Sequence, residues 1–237
     1  MSALDQLLSV QEHDTTLDQL DHRRTHLPER AALVEIAEQE ADIDARRGEL
    51  DERRTELARS QKRLEDEIAM VEAKRVEEDA RLYSGSITAP RELQALQDEL
   101  ATIARRTSEL EDELLEILTD LEPIEEAIAA LDDETRALAE RRAQVESSLA
   151  AAEAEVDAQA TSVRAERDDA AATLSAEVLA DYETRRRQLG GIAVARLNGS
   201  SCGGCHLTLS AVEIDRIRKL PADEPATCEE CGRMLVH

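Results

Sequence analysis

Tyr83-Ser84-Gly85-Ser86-Ile87-Thr88-Ala89-Pro90 is the stretch whose reading decides the fold. Glycine breaks a helix, and proline is tolerated in the first turn of the next one, which the sequence predicts to begin at Thr88 or Ala89. Glu92 then sits where a carboxylate complements a helix N-terminus. On either side of this break, leucine-like residues recur seven apart. Before it come Ile36, Ile43, Leu50, Leu57, Leu64 and Val71; after it come Leu96, Ile103, Leu110, Ile117, Ile124, Leu131, Leu138 and Val145. A strict seven-residue repeat over six or more heptads specifies a left-handed supercoil. A short break between two such helices makes them antiparallel neighbours. Residues 1–191 are therefore predicted to form a coiled-coil helical hairpin with its turn at about 83–89. Each arm would reach on the order of 120 Å. The second arm is expected to continue to about residue 187, ahead of Gly190-Gly191.

The arms are unequal. The second carries a companion stripe at Leu93, Leu100, Leu114, Leu121 and Ile128, whereas the first has Glu40, Arg47, Arg54 and Gln61 at its companion positions. Such a seam stabilises weakly and specifies register. Arg47 and Arg54 are predicted to lie along the second arm and meet acidic groups there, with Glu122 and Glu126 as candidates. Pro28 and Pro123 fall inside helical pattern, so each should kink or interrupt its helix.

Composition agrees with this reading. The 237 residues include no Phe or Trp and two Tyr, and 35% are charged. A chain of mostly Ala, Leu, Glu and Arg is a helix former with little material for an ordinary globular core. The formal charge is −25, with 24 basic and 48 acidic groups in residues 1–191 and 5 and 6 in residues 192–237. So acidic a rod repels phosphate backbones and suits basic or apolar protein surfaces. No apolar run is long enough to span a membrane, and residues 1–14 lack the basic start and hydrophobic stretch of a signal peptide. A reducing cytoplasm is the expected location.

Residues 192–237 read differently. All four cysteines lie in the last 36 residues, as Cys202-Gly-Gly-Cys205 and Cys228-Glu-Glu-Cys231 with 22 residues between the pairs. Two such loops present four thiolates to one tetrahedral zinc, with no position left for water, so the site is predicted to be structural. Residues 192–197 read as a strand, Asn198-Gly199 as a tight turn, 206–209 as a short strand, 211–220 as a helix capped by Ser210 and stopped by Pro221, and 233–236 as a closing strand. Gly203, Gly204 and Gly232 let backbone curl around sulfur. A segment this small needs the metal to fold.

Cys202-Gly-Gly-Cys205 with His206 and Leu209, then Cys228-Glu-Glu-Cys231-Gly-Arg-Met-Leu, resembles the bacterial C4-type zinc-ribbon family with an N-terminal coiled-coil hairpin. So do the turn region from Leu82 through Pro90-Arg-Glu-Leu-Gln-Ala-Leu-Gln-Asp-Glu-Leu100 and the run Gly190-Gly-Ile-Ala-Val-Ala. The resemblance covers essentially the whole chain. It implies a kinked helical hairpin and a small ribbon, with zinc on Cys202, Cys205, Cys228 and Cys231. It also implies adaptor roles, since members bind an alternative sigma factor or parts of flagellar and secretion machinery, and nucleic-acid binding has been proposed within the family.

Several residues carry competing readings. Oxidation of the cysteines with zinc ejection is the rival to a static site; Glu229 and Glu230 are expected to disfavour thiolate activation. His206 reads as a surface strand residue, because four cysteines already fill a zinc shell. His22 and His26 share a helical face, more simply a solvated one than a metal site. Arg196, Arg216, Arg218, Lys219 and Arg233 are the candidate contacts for nucleic acid or a partner, although no aromatic stands among them to stack on bases. Tyr83 and Ile87 either close the tip or present it to a partner. No phosphate loop, zincin helix or nucleophile elbow occurs, which argues against an enzyme. The leading expectation is a non-enzymatic adaptor for protein partners, with self-association open. The rivals are nucleic-acid binding through the ribbon and regulation of RNA polymerase, whose hairpin factors use acidic tips; residues 84–89 have none, and Asp79 lies back along the arm.

Overall fold

The structure is a computed structural model that describes residues 3–221 and 226–236. It is mainly α, with a small C-terminal sheet. In order the elements are α1 (Ala3–Thr25), α2 (Pro28–Tyr83), α3 (Pro90–Ala171), α4 (Ala176–Gln188), β1 (Val194–Asn198), β2 (Ser201–Cys202), α5 (Ala211–Arg218), β3 (Ala226–Thr227) and β4 (Met234–Val236). Two compact units divide the chain: Ala32–Gln144, and Met1–Ala31 with Val145–His237.

In the first of these, α2 and α3 form the antiparallel coiled coil that the heptads specify. Ile36, Ile43 and Leu57 are buried on α2, and Leu96, Ile103, Leu110, Leu121, Ile128, Leu131 and Leu138 on α3. The companion stripe of α3 has a member that its apolar residues hide. Thr107 stands seven from both Leu100 and Leu114 and is 7% exposed, and its hydroxyl has no hydrogen-bond partner. Ion pairs lace the arms: Lys74 Nζ to Glu99 at 2.7 Å, Arg106 Nη2 to Glu67 at 2.8 Å, and Arg142 to Glu40. Arg47 does reach α3, but it donates to Asp132 rather than to Glu122 or Glu126. Arg54 pairs with Asp51 of its own helix at 2.9 Å. A neighbour one turn away costs a long side chain less ordering than a partner across the seam.

The turn falls where the sequence puts it. α2 ends at Tyr83, Gly85 has φ +75°, and Ala89 O accepts from the amides of Glu92 and Leu93 at the head of α3. The two prolines differ. Pro28 opens α2 after a break from α1, whereas α3 runs through Pro123 without interruption.

In the second unit the long second arm is shorter than expected. It stops at Ala171 and restarts as α4, because Ser175 caps the new helix by accepting from Val178 N at 3.3 Å. Leu174, in the break, packs on a core made by Leu4, Leu7, Leu8 and Val10 of α1, Tyr182 of α4, and Val194, Met234 and Val236 of the sheet. Polar residues close that core. Tyr182 donates to Asp14 Oδ2 at 2.6 Å, and Arg167 Nε to Asp14 Oδ1 at 3.3 Å.

The sheet has the order β2-β1-β4-β3. β1 runs parallel to β4, with Val194 opposite Met234 and Arg196 opposite Val236, while β2 and β3 pair antiparallel to their neighbours. Strand β3 has no counterpart in the sequence reading. Residues 206–209 do not form the expected strand. They keep a single bridge, Thr208 to Ser201, because His206 turns left-handed at φ +60° as the chain leaves the first cysteine loop.

Candidate metal centre

Each cysteine loop sits where a strand delivers it. Cys202 ends β2, held by its amide to Leu207 O at 3.0 Å, and His206 N donates back to Cys202 O at 2.8 Å. Cys228 follows β3 directly, and its amide donates to Arg233 O at 2.9 Å, with Gly232 N returning to Cys228 O at 2.9 Å. The two loops thus close by the same pair of backbone bonds. Gly203 is required by close approach, since a Cβ there would lie 2.8 Å from the backbone oxygen of Arg196; a Cβ at Gly204 would lie 2.5 Å from Arg233 Cδ and push that side chain aside.

These turns bring all four sulfurs within 4.8 Å of one another. Cys202 Sγ lies 3.9 Å from Cys231 Sγ, and Cys205 Sγ 3.9 Å from Cys228 Sγ. A tetrahedron with zinc–sulfur bonds of about 2.3 Å has edges of about 3.8 Å. The donor set therefore fits a C4-type site, consistent with one structural zinc ion. Among the described residues it is also the one cluster of three or more ligating side chains.

The electrostatics of the four thiols are uneven. Burial pushes the Cys228 thiol up to about 12. Burial acts the same way on Cys231, but hydrogen bonds from the backbone amide and guanidinium of Arg233, together with those of Cys228 and Cys205, bring that thiol down to about 7. Glu229 and Glu230 are expected from the sequence to disfavour thiolate activation; at Cys231 it is Arg233, the cation two positions on, that acts in the opposite sense. A metal that ionises all four thiols makes the centre doubly negative, and Arg233 stands ready to offset part of that charge.

The other candidate residues are scattered. Arg216 pairs with buried Glu213 of α5 at 2.9 Å, and Lys219, just past the end of that helix, with Asp215 at 2.5 Å. Arg233 donates to Ile192 O at 2.9 Å. Arg196 is exposed on β1 and Arg218 at the end of α5. Two of the five cations are thus already paired with carboxylates of α5. His22 of α1 and His26, in the turn just past it, stack at 4.0 Å, both exposed. At the turn Tyr83 is 83% exposed and Ile87 half-buried. Tyr83 therefore does not close the tip by packing.

Sequence reasoning passed over three groups at the root of the helices: Gln11 and Arg185, which bind helices to the ribbon, and Asp14, which ties α1 to α3 and α4. Gln11 and Asp14 continue the Leu4, Leu7 stripe of α1 at helical spacing, so their inward position was readable. The role of Arg185, which donates to Gly232 O at 2.7 Å, left no sequence signal.

Residues 10–190 match the CT398-like coiled coil hairpin domain, and residues 201–235 match the C4-type zinc ribbon domain. Uncharacterized protein Rv2229c of Mycobacterium tuberculosis is 35% identical over 233 residues, which is 97% of this chain and 93% of that protein. A solved structure from Mycobacterium smegmatis superposes with a TM-score of 0.86 at 24% identity, covering 100% of this chain and 99% of the other. CT398 from Chlamydia trachomatis does so with a TM-score of 0.70 at 20% identity, covering 99% and 97%. At these identities the structural likeness speaks for the fold.

Proposed function

The chain belongs to the CT398-like coiled coil hairpin family, and on that premise we propose that it is a cytoplasmic, non-enzymatic adaptor. In this reading residues 1–191 are the hairpin that offers surface to protein partners. Residues 192–237 are a ribbon in which Cys202, Cys205, Cys228 and Cys231 hold one structural zinc. Both matched domains are coiled-coil and zinc-ribbon types rather than enzyme types. Among the described residues no helix is long and apolar enough to cross a membrane.

One observation carries the adaptor reading. Between residues 32 and 144 the apolar residues are consumed by a narrow seam, and large side chains remain outside it: Met70, Val76, Leu115 and Leu118 are 68%, 63%, 60% and 42% exposed. Exposed apolar groups set in a strongly acidic surface suit basic or apolar protein partners. Nucleic acid is the weaker reading, since Arg216 and Lys219 are engaged by carboxylates and no aromatic stands beside them.

Affinity capture from the native cell tests this, using the full chain, a variant with residues 83–89 replaced by a neutral turn, and a Leu115→Asp/Leu118→Asp variant. The expected result is a defined set of proteins at physiological salt, part of which one variant loses. A chain that retains no protein, yet binds nucleic acid at low salt and releases it when Arg196 and Arg218 are replaced, would overturn it.

A further inference from the structure

We propose that the metal centre and the root of the helices are one cooperative unit, so that zinc occupancy decides whether α1 stays docked. This rests on reading the four cysteines as the zinc ligands.

The argument starts from the two faces of β1 and β4. Val194, Met234 and Val236 pack against Leu4, Leu7, Leu8 and Val10 of α1 and against Tyr182. Ala195 and Leu235, the cross-strand pair next along the strands, pack on the other side with Cys202, Leu209, Ile217, Ala226 and Cys228. The period of two along a strand thus makes this strand pair a wall shared by the helical root and the metal core.

Hydrogen bonds tie the same parts. The buried amide of Gln11 acts as a missing strand neighbour for the chain entering β1. Its Oε1 accepts from Ala193 N at 2.6 Å and from Val194 N at 3.3 Å, while its Nε2 donates to Gly191 O at 2.8 Å and Thr15 Oγ1 at 3.1 Å. Both lone pairs and both N–H groups are used. From α4, Arg185 Nη1 donates to Gly232 O at 2.7 Å, in the turn that follows Cys231.

The metal-side core has seven buried residues, two of them cysteines. So small a core stands on its metal. When the ion leaves, the wall loses one face, Gly232 loses its fixed position under Arg185, and α1 loses the apolar floor beneath Leu4, Leu7 and Val10. The coupling is reciprocal: disturbing α1 must weaken the hold on zinc.

The test uses the full chain. Zinc content is measured first, then zinc is withdrawn with excess chelator while amide hydrogen exchange is followed. α1 amides should lose protection at least tenfold together with β1 and β4, while amides of residues 36–138 do not change. In the reverse direction, Gln11→Ala should transfer zinc to a chromogenic chelator several times faster than the parent chain. Arg185→Ala, a less buried change, serves the same purpose should Gln11→Ala not fold. Zinc leaving with α1 protection unmoved, or parental release rates in the folded variant, would overturn the coupling alone. A preparation holding no zinc would overturn the ligand reading and the coupling with it.

Discussion

Between residues 36 and 138 the buried apolar side chains are strung out along the arms, three on α2 and seven on α3, with half-buried ones such as Leu50, Leu64, Val71 and Ile117 between them. On its metal side the ribbon gathers seven buried residues around one point, where four sulfurs meet. In the first region stability is a sum of many similar increments, as in any quasi-one-dimensional array. In the second it hangs on a single centre. A change to one residue should therefore be partial and local in the hairpin, and all-or-none in the ribbon.

The largest effect follows from the ribbon. Removing zinc, or replacing Cys228 by Ser, withdraws a metal contribution that is on the order of 10 kcal/mol in small zinc domains. The sheet should lose its amide protection as a unit, while the helical circular-dichroism signal of the arms persists. A ribbon that keeps its sheet without metal would erase the contrast between the regions.

A core deletion in the hairpin should cost less. Leu110 is fully buried, so Leu110→Ala is expected to destabilise by about 2–5 kcal/mol. Leu115→Ala, five residues away and 60% exposed, should stay within about 0.5 kcal/mol of the parent. Urea unfolding of the two variants checks the pair. Equal losses would mean that Leu115 is covered in solution.

The same contrast governs what could be read from the sequence. The arms and the ligand set were legible because each follows from spacing: seven for the seam, three within each cysteine pair. The misses all involve choices among local alternatives. Arg54 took Asp51, one turn away, over any carboxylate on α3. The stop at Ala171 depends on Ser175 capping a new helix inside a pattern that still reads as helical. His206 has strand-like neighbours but a left-handed backbone, imposed by closure of the first cysteine loop. β3 is two residues long and exists only because β4 lies beside it.

The root of the helices offers a test of intermediate size. Tyr182 is buried against Asp14, and burial together with that carboxylate holds its hydroxyl well above the ordinary tyrosine range. A group whose pKa is raised on folding contributes stability that is fully present below its unfolded value, about 10, and is lost as pH climbs above it. Tyr182→Phe leaves the Asp14 carboxylate short of one donor and should cost about 1–3 kcal/mol at neutral pH. It should also flatten the alkaline limb of the stability profile. A parallel loss above pH 10 in both proteins would show that the phenol is not what titrates there.

The smallest change expected reverses the sign. Thr107 occupies a seam position on α3, and its buried hydroxyl has no partner. Leaving such a group unsatisfied costs about 1–3 kcal/mol, and valine has nearly the same shape without the hydroxyl. Thr107→Val should therefore stabilise the hairpin by about 1 kcal/mol, seen as a higher urea midpoint at unchanged slope. The alternative is informative. A polar residue at a seam position can fix the register of two helices at a cost in stability. If Thr107→Val raised the midpoint but broadened the transition, the threonine would be holding α2 and α3 in one alignment. The hairpin would then resemble the ribbon in one respect, with a single residue deciding the outcome for its neighbours.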